Sequence, residues 1–344
     1  MAQINKPTDY FNTVLFTGNG STQSVTGVNF QPDWVWIKDR VEARDHKLTD
    51  VVRGVTKALR TNGTTAEETD ATGLTSFDTD GFTLGGGYNR NGNNIASWNW
   101  LADNTSGSSN TQGSITSTVS VNTTSGFSIV SYTGTGANAT VGHGLGVAPD
   151  VIITKNRTSA GSNWVVLHKS IFNSSDTIVA LNSTDASYTQ GTANYQGTNP
   201  TSSVFYVGTG DNTNKSTNNI ISYCFAEKKG FSKFGSYTGN GSTDGTFVYT
   251  GFKPAFVIIK RTDSTGSWVI EDSVRSPSNS SMKVLYANLS NAEETLDPYF
   301  DLLSNGFKIR WTSTFINASG GTYIYMAFAE NPLVGTNNIP TTAR

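Results

Sequence analysis

Three histidines, one cysteine and scattered carboxylates are the side chains of this 344-residue chain best suited to proton transfer or covalent chemistry. A catalytic centre needs a nucleophile beside a base, or two carboxylates at a fixed separation. His143 lies in the Gly-rich turn "VGHGLG", and His168 ends an apolar run at a place where Asp50 and Asp272 stand in related segments. Cys224 sits in the alternating run "ISYCFAE", and its spacing reads as packing. The carboxylates group as Glu67, Glu68 and Asp70, as Glu271 and Asp272, and as Glu293 and Glu294. The motif "AEET" occurs twice but is replaced by Asp185-Ala186 in the related middle segment, so no acid pair recurs throughout. "FDTDGF" around Asp78 lacks the later Glu of a calcium loop. "GTGANATVGHGLG" lacks the Gly-Lys-Ser/Thr of a phosphate loop and precedes a strand pattern rather than a helix. No catalytic residue, metal ligand or cofactor is assigned.

Binding is the better-supported chemistry. Trp164 and Trp268 follow matching Ser/Gly-rich turns, "TSAGSNW" and "DSTGSW". An aromatic at a strand end can stack on a pyranose face, with nearby cations bonding its hydroxyls. Arg157 and Arg261 are the cations expected beside them, from the pairs Lys38/Arg40, Lys155/Arg157 and Lys260/Arg261. The competing structural reading makes the tryptophans sandwich-edge anchors and pairs the cations with Asp50 or Asp272.

Those residues recur because the chain repeats itself. An aromatic followed by T-G-x-G places Gly18, Gly134 and Gly239 at intervals of 116 and 105 residues. Pro32, Pro149 and Pro254 follow in step, each opening an apolar run: "DWVWIKDR", "DVIITKNR" and "AFVIIKRT". Each copy closes on alternating aromatics, in "NNIASWNWLAD", "NNIISYCFAEK" and "GTYIYMAFAEN". Alternation at period two specifies strands. Asp80-Gly81 and Asn305-Gly306 between apolar runs specify tight hairpins. The expected fold is all-β, three tandem β-sandwich domains. They span 10–103, 114–227 and 228–334, with a linker at 104–113 and an extended arm at 335–344. Short helices are expected at Ala66–Asp70 and from Asn291, limited by Pro298.

Composition narrows the partners. Charged residues make up 15% of the chain, the formal net charge is −2, and no basic stripe stands out, which disfavours nucleic acid and anionic membranes. A lone cysteine cannot close an internal disulfide. No signal-peptide pattern or membrane-length apolar run is seen, so the expectation is a chain made in the cytosol that stays soluble.

The runs "GFSIVSYTGTGANATVGHGLGVAPDVIITKNR" and "GFSKFGSYTGNGSTDGTFVYTGFKPAFVIIKRTDSTGSW", with "MAQINKPTDYFNT" at the start and "IPTTAR" at the end, resemble repeat domains in virion proteins of tailed marine bacteriophages. The resemblance covers essentially the whole chain. It implies jelly-roll or concanavalin-like sandwiches and a non-enzymatic structural protein on the particle exterior, assembled in the host cytoplasm, packed against other tail or capsid proteins and homo-oligomeric in the particle. A tail- or fibre-associated adhesin contacting host surface polysaccharide is the first expectation. A capsid decoration protein and a surface polysaccharide depolymerase are the alternatives.

Overall fold

The computed structural model describes residues 3–335. The chain is nearly all β, built of antiparallel ladders, with one-turn helices at Asp211–Asn214 and Thr314–Asn317. Each repeat uses its strands in the same order. In the first, Phe11–Thr17, Asn94–Trp100, Trp34–Asp39 and Lys47–Asp50 lie side by side. In the second the order is Phe127–Thr133, Asn219–Phe225, Val151–Asn156, Trp164–His168. In the third it is Ser232–Thr238, Thr322–Pro332, Phe252–Arg261, Val269–Asp272. A smaller outer layer faces each: Gln23–Thr26 with Gly81–Leu84, Ala139–Gly142 with Val204–Val207, and Phe247–Tyr249 with Gly306–Ile309.

The apolar runs are nearly continuous because both faces of these main sheets are covered. Trp34 and Trp36 point to the centre of the molecule, while Val35 and Ile37 point to their own outer layer. Val151 and Ile153 do the same against Ile152, and Phe256 and Ile258 against Val257 and Ile259. One central cluster therefore draws Trp98 and Trp100, Tyr223 and Phe225, and Met326 and Phe328 from the three closing strands. Its rings stack closely, Trp34 on Tyr223 with centroids 4.5 Å apart and Phe11 on Phe328 at 5.4 Å. Each large side chain contributes roughly 2–3 kcal/mol on leaving water, so each repeat gains by closing on the other two.

Several expectations change here. The repeats are lobes around a shared core, each with a smaller core of its own, rather than three self-sufficient units in series. The segment read as a linker contains strand Ser108–Asn110, which pairs with Ser117–Asn122. The segments read as short helices are strands, Glu68–Thr69 and Glu294–Leu303. Their good helix formers lose to cross-strand and cross-lobe bonds, and Pro298 falls where the ladder to Ser281–Tyr286 is interrupted. The expected arm, 335–344, lies outside the described residues beyond Gly335. Among the described residues no helix is long and apolar enough to cross a membrane.

Candidate functional site

Trp164 and Trp268 are not a surface platform. They are 0% and 2% exposed and belong to the central core. Each indole N–H crosses a lobe junction, Trp164 donating to the carbonyl of Arg60 and Trp268 to that of Ala180, both at 2.8 Å. The first repeat has His46 in this place, its Nε2 donating to the Tyr286 carbonyl at 3.0 Å. Each backbone N–H at the position donates to the same anchor, an Asn side-chain oxygen: Asn62, Asn182 and Asn288. These positions lock lobes together, which removes the stacking face that sugar binding needs.

The arginines are similarly committed. Arg157 forms a two-pronged pair with Glu67 of the first lobe, at 2.8 and 2.9 Å. Arg40 forms the equivalent pair with Glu293 of the third, both contacts at 2.8 Å. The partners are thus the "AEET" glutamates, not Asp50 and Asp272. Those aspartates hold Arg53 and Arg275, both fully buried, and accept from Tyr223 and Trp98 of the neighbouring lobe at 2.7 and 3.0 Å. Burial opposes the Glu67 charge, but Arg157 and Arg53 outweigh it and hold the carboxyl below its ordinary range. Arg261 is out of register by one residue. Thr262 takes the junction place, its carbonyl accepting from the Ser187 backbone at 2.9 Å and side chain at 2.8 Å. Arg261 instead pairs locally with Asp263 at 2.9 Å.

This third junction lacks the buried charged set of the other two. Ile171 replaces the buried arginine, Met326 replaces the indole or phenol donor, and His168 replaces the aspartate. An unpaired buried carboxylate would be costly there. His168 is neutral instead: its Nε2 donates to the Tyr325 carbonyl at 3.1 Å and its Nδ1 accepts from the Ser170 backbone at 3.2 Å. Burial pushes its pKa down to about 4, and that of His143 likewise. His46 follows the same pattern, its Nδ1 accepting from the Trp36 indole at 2.8 Å. In all three rings the lone pair is already used, so none is poised as a base. Cys224 is fully buried and burial raises its thiol pKa. Among the described residues no group of His, Cys, Asp and Glu is placed to hold a metal ion.

The lysines of the three Lys-Arg pairs share one buried position. Lys38, Lys155 and Lys260 are each 0% exposed at the end of the strand that follows the repeat's proline. Their ammonium groups donate to backbone carbonyls: Lys38 to Asp39 at 2.6 Å, Lys260 to Arg261 at 2.7 Å, and Lys155 to Ser162. Burial pushes all three down to a pKa of about 8.

The exposed aromatics are elsewhere. Phe247 and Tyr249 are 43% and 59% exposed and flank the inward-facing Val248 on Phe247–Tyr249, a strand at the edge of its sheet. Tyr249 lies opposite Gly306, which has no side chain to cover it, and Phe247 lies opposite Lys308. Lys308 pairs with Asp244 at 2.5 Å beside them. Val25 and Val141 match Val248 in the other repeats, and their outward neighbours are Ser24 and Thr26, and Thr140 and Gly142. The aromatic pair is therefore not required by the repeat fold. The signal was present in "GTFVYTG", where an aromatic stands on each side of a single inward valine.

Among curated proteins none matches the chain. One family model spans residues 6–332, all three repeats together, in keeping with their common core. On that match the chain belongs to the DUF7483 family, a domain of unknown function.

Proposed function

We propose that the protein is a non-enzymatic structural component of a tailed-phage virion exterior, a tail- or fibre-associated adhesin that contacts host surface glycans. The observation that carries the reading is the Phe247/Tyr249 pair. Two rings on one face of an edge strand, beside Lys308, Asp244 and a glycine that leaves them open, form a stacking surface with hydrogen-bonding groups at its side. Sequence resemblance supplies the virion context. We read each lobe as a jelly-roll or concanavalin-like sandwich. A capsid decoration role is the second reading, favoured by lobe contacts that close into a ring and so suit a threefold position on a particle.

The test is binding of purified protein to host surface polysaccharide, together with blocking of phage adsorption. The F247A/Y249A double variant should bind at least about tenfold more weakly while keeping its urea midpoint. Retained binding in that variant would remove the edge from the mechanism. A folded wild-type protein that neither binds nor blocks would overturn the adhesin reading in favour of decoration.

A further inference from the structure

A cleft lined mainly by the first lobe, with Ser290 of the third, has no part in the contacts described above. It encloses about 380 Å³, within the range of roughly 300–1,000 Å³ typical of small-ligand sites. Its lining includes Arg44, Lys47, Asp70, Tyr88 and Arg90, and the matching loops of the other lobes carry fewer charges: "VEARDH" here stands against "SAGSNW" and "DSTGSW".

The polar groups are unevenly used. Arg44 and Arg90 place their Nε atoms on the two oxygens of one carboxylate, Glu42, at 3.1 and 3.0 Å. Arg44 Nε also stands 3.8 Å from Asp39, which lines the cleft with Asp45; the terminal nitrogens of the two guanidinium groups can take a further planar anion. Asp70 spends Oδ1 on the backbone and hydroxyl of Thr72, at 2.9 and 2.7 Å. Tyr88 is 9% exposed, yet its hydroxyl has no hydrogen-bond partner among the described residues. The Lys47 ammonium lies 5.0 Å from the centre of the Tyr88 ring. An unpartnered buried hydroxyl is costly unless something else compensates.

We infer that this cleft is a binding site for a small polyhydroxylated anion, a sugar acid of hexuronate size. Arg44 and Arg90 would hold the carboxylate, and Asp70 would accept from ring hydroxyls. A neutral sugar leaves the guanidinium pair unused, and a bare inorganic anion leaves the Asp70 wall unused. The site is separate from the Phe247/Tyr249 edge, so either can fail alone.

The experiment is titration of the intact protein with glucuronate, glucose and inorganic phosphate, read by calorimetry and by ligand-observed NMR. Glucuronate should bind with a Kd of ~1 mM or tighter, and glucose about tenfold more weakly. The R44Q/R90Q double variant should lose glucuronate binding about tenfold while retaining its circular dichroism and melting temperature. Should that variant misfold, D70N in the same titration takes its place, with the same loss expected. Failure of glucuronate to bind, equal binding of glucose, equal binding of phosphate, or unchanged affinity in folded variants would each overturn the assignment.

Discussion

Raising the pH from 8 to 9 should stabilise this protein, the reverse of the usual alkaline trend. Lys38, Lys155 and Lys260 have an ordinary pKa of 10.5, and the fold brings each to about 8. The unfolded chain therefore keeps three protons that the folded chain releases across this interval. Wherever the unfolded state binds more protons, stability rises with pH. Each lysine contributes ~1 kcal/mol between pH 8 and 9, and the three ~3 kcal/mol together. The Cys224 thiol acts oppositely: it ionises near 9.0 when unfolded and is held protonated by burial, taking back a few tenths of a kcal/mol. Above about pH 9.5 the buried tyrosines dominate. Tyr132, Tyr195, Tyr223, Tyr237 and Tyr299 have pKa values raised by burial above the ordinary 10.0, so their ionisation in the unfolded chain pulls stability down again. Urea denaturation at half-unit steps from pH 7.5 to 10 should show a maximum near pH 9–9.5. Lys155→Met should flatten the rise by about a third and lift stability at pH 7.5. A midpoint that is flat or falling from pH 8 to 9, and unaffected by Lys155→Met, would refute the reasoning. It would mean that the carbonyl bonds to these ammonium groups fully offset their burial and keep them charged.

Three mutational outcomes follow from the junctions. Trp268→Ala should destabilise the whole molecule by ~3–5 kcal/mol through cavity formation, so thermal melting should report global loss rather than a selective binding defect. Glu67→Gln should cost ~1–3 kcal/mol, because Arg157 loses its carboxylate while the buried Arg53 loses its second partner and keeps Asp50. Ser187→Ala at the third junction should cost ~1 kcal/mol, and urea midpoints of the two variants decide between them.

The repeat register, the strands and the Asp80-Gly81 and Asn305-Gly306 hairpins were legible because each rests on short-range pattern. What covers a strand's second face was not. Period-two alternation in "DWVWIKDR" marks two faces but cannot say that one meets two other repeats, and so both readings of Trp164 and Trp268, sugar platform and sandwich-edge anchor, leave them at a strand end rather than in a shared core. The "AEET" segments carry helix-forming side chains, and only the cross-lobe partners Arg157 and Arg40 reveal why they are extended. The third Lys-Arg pair misled because Lys260 keeps the common register while Arg261 stands one place early, with Thr262 at the junction. The charged cleft drew no attention in sequence because its residues, from Arg44 to Arg90, come from separate loops.

The junction contacts run from the first lobe to the third, from the third to the second and from the second to the first. An open-ended solenoid can gain or lose units, and it needs polar caps at both ends. A closed circuit has no end unit to cap, and its copy number is fixed by the angle at which neighbours meet. A gene duplication that added a fourth unit here would leave two junctions mismatched. Loss of one unit would uncover tryptophans and phenylalanines on both survivors. Evolution of this chain is therefore confined to divergence among three standing members. The junction that carries Ser187, Thr262, Ile171 and Met326 where the others carry buried charged groups shows how far the three members differ.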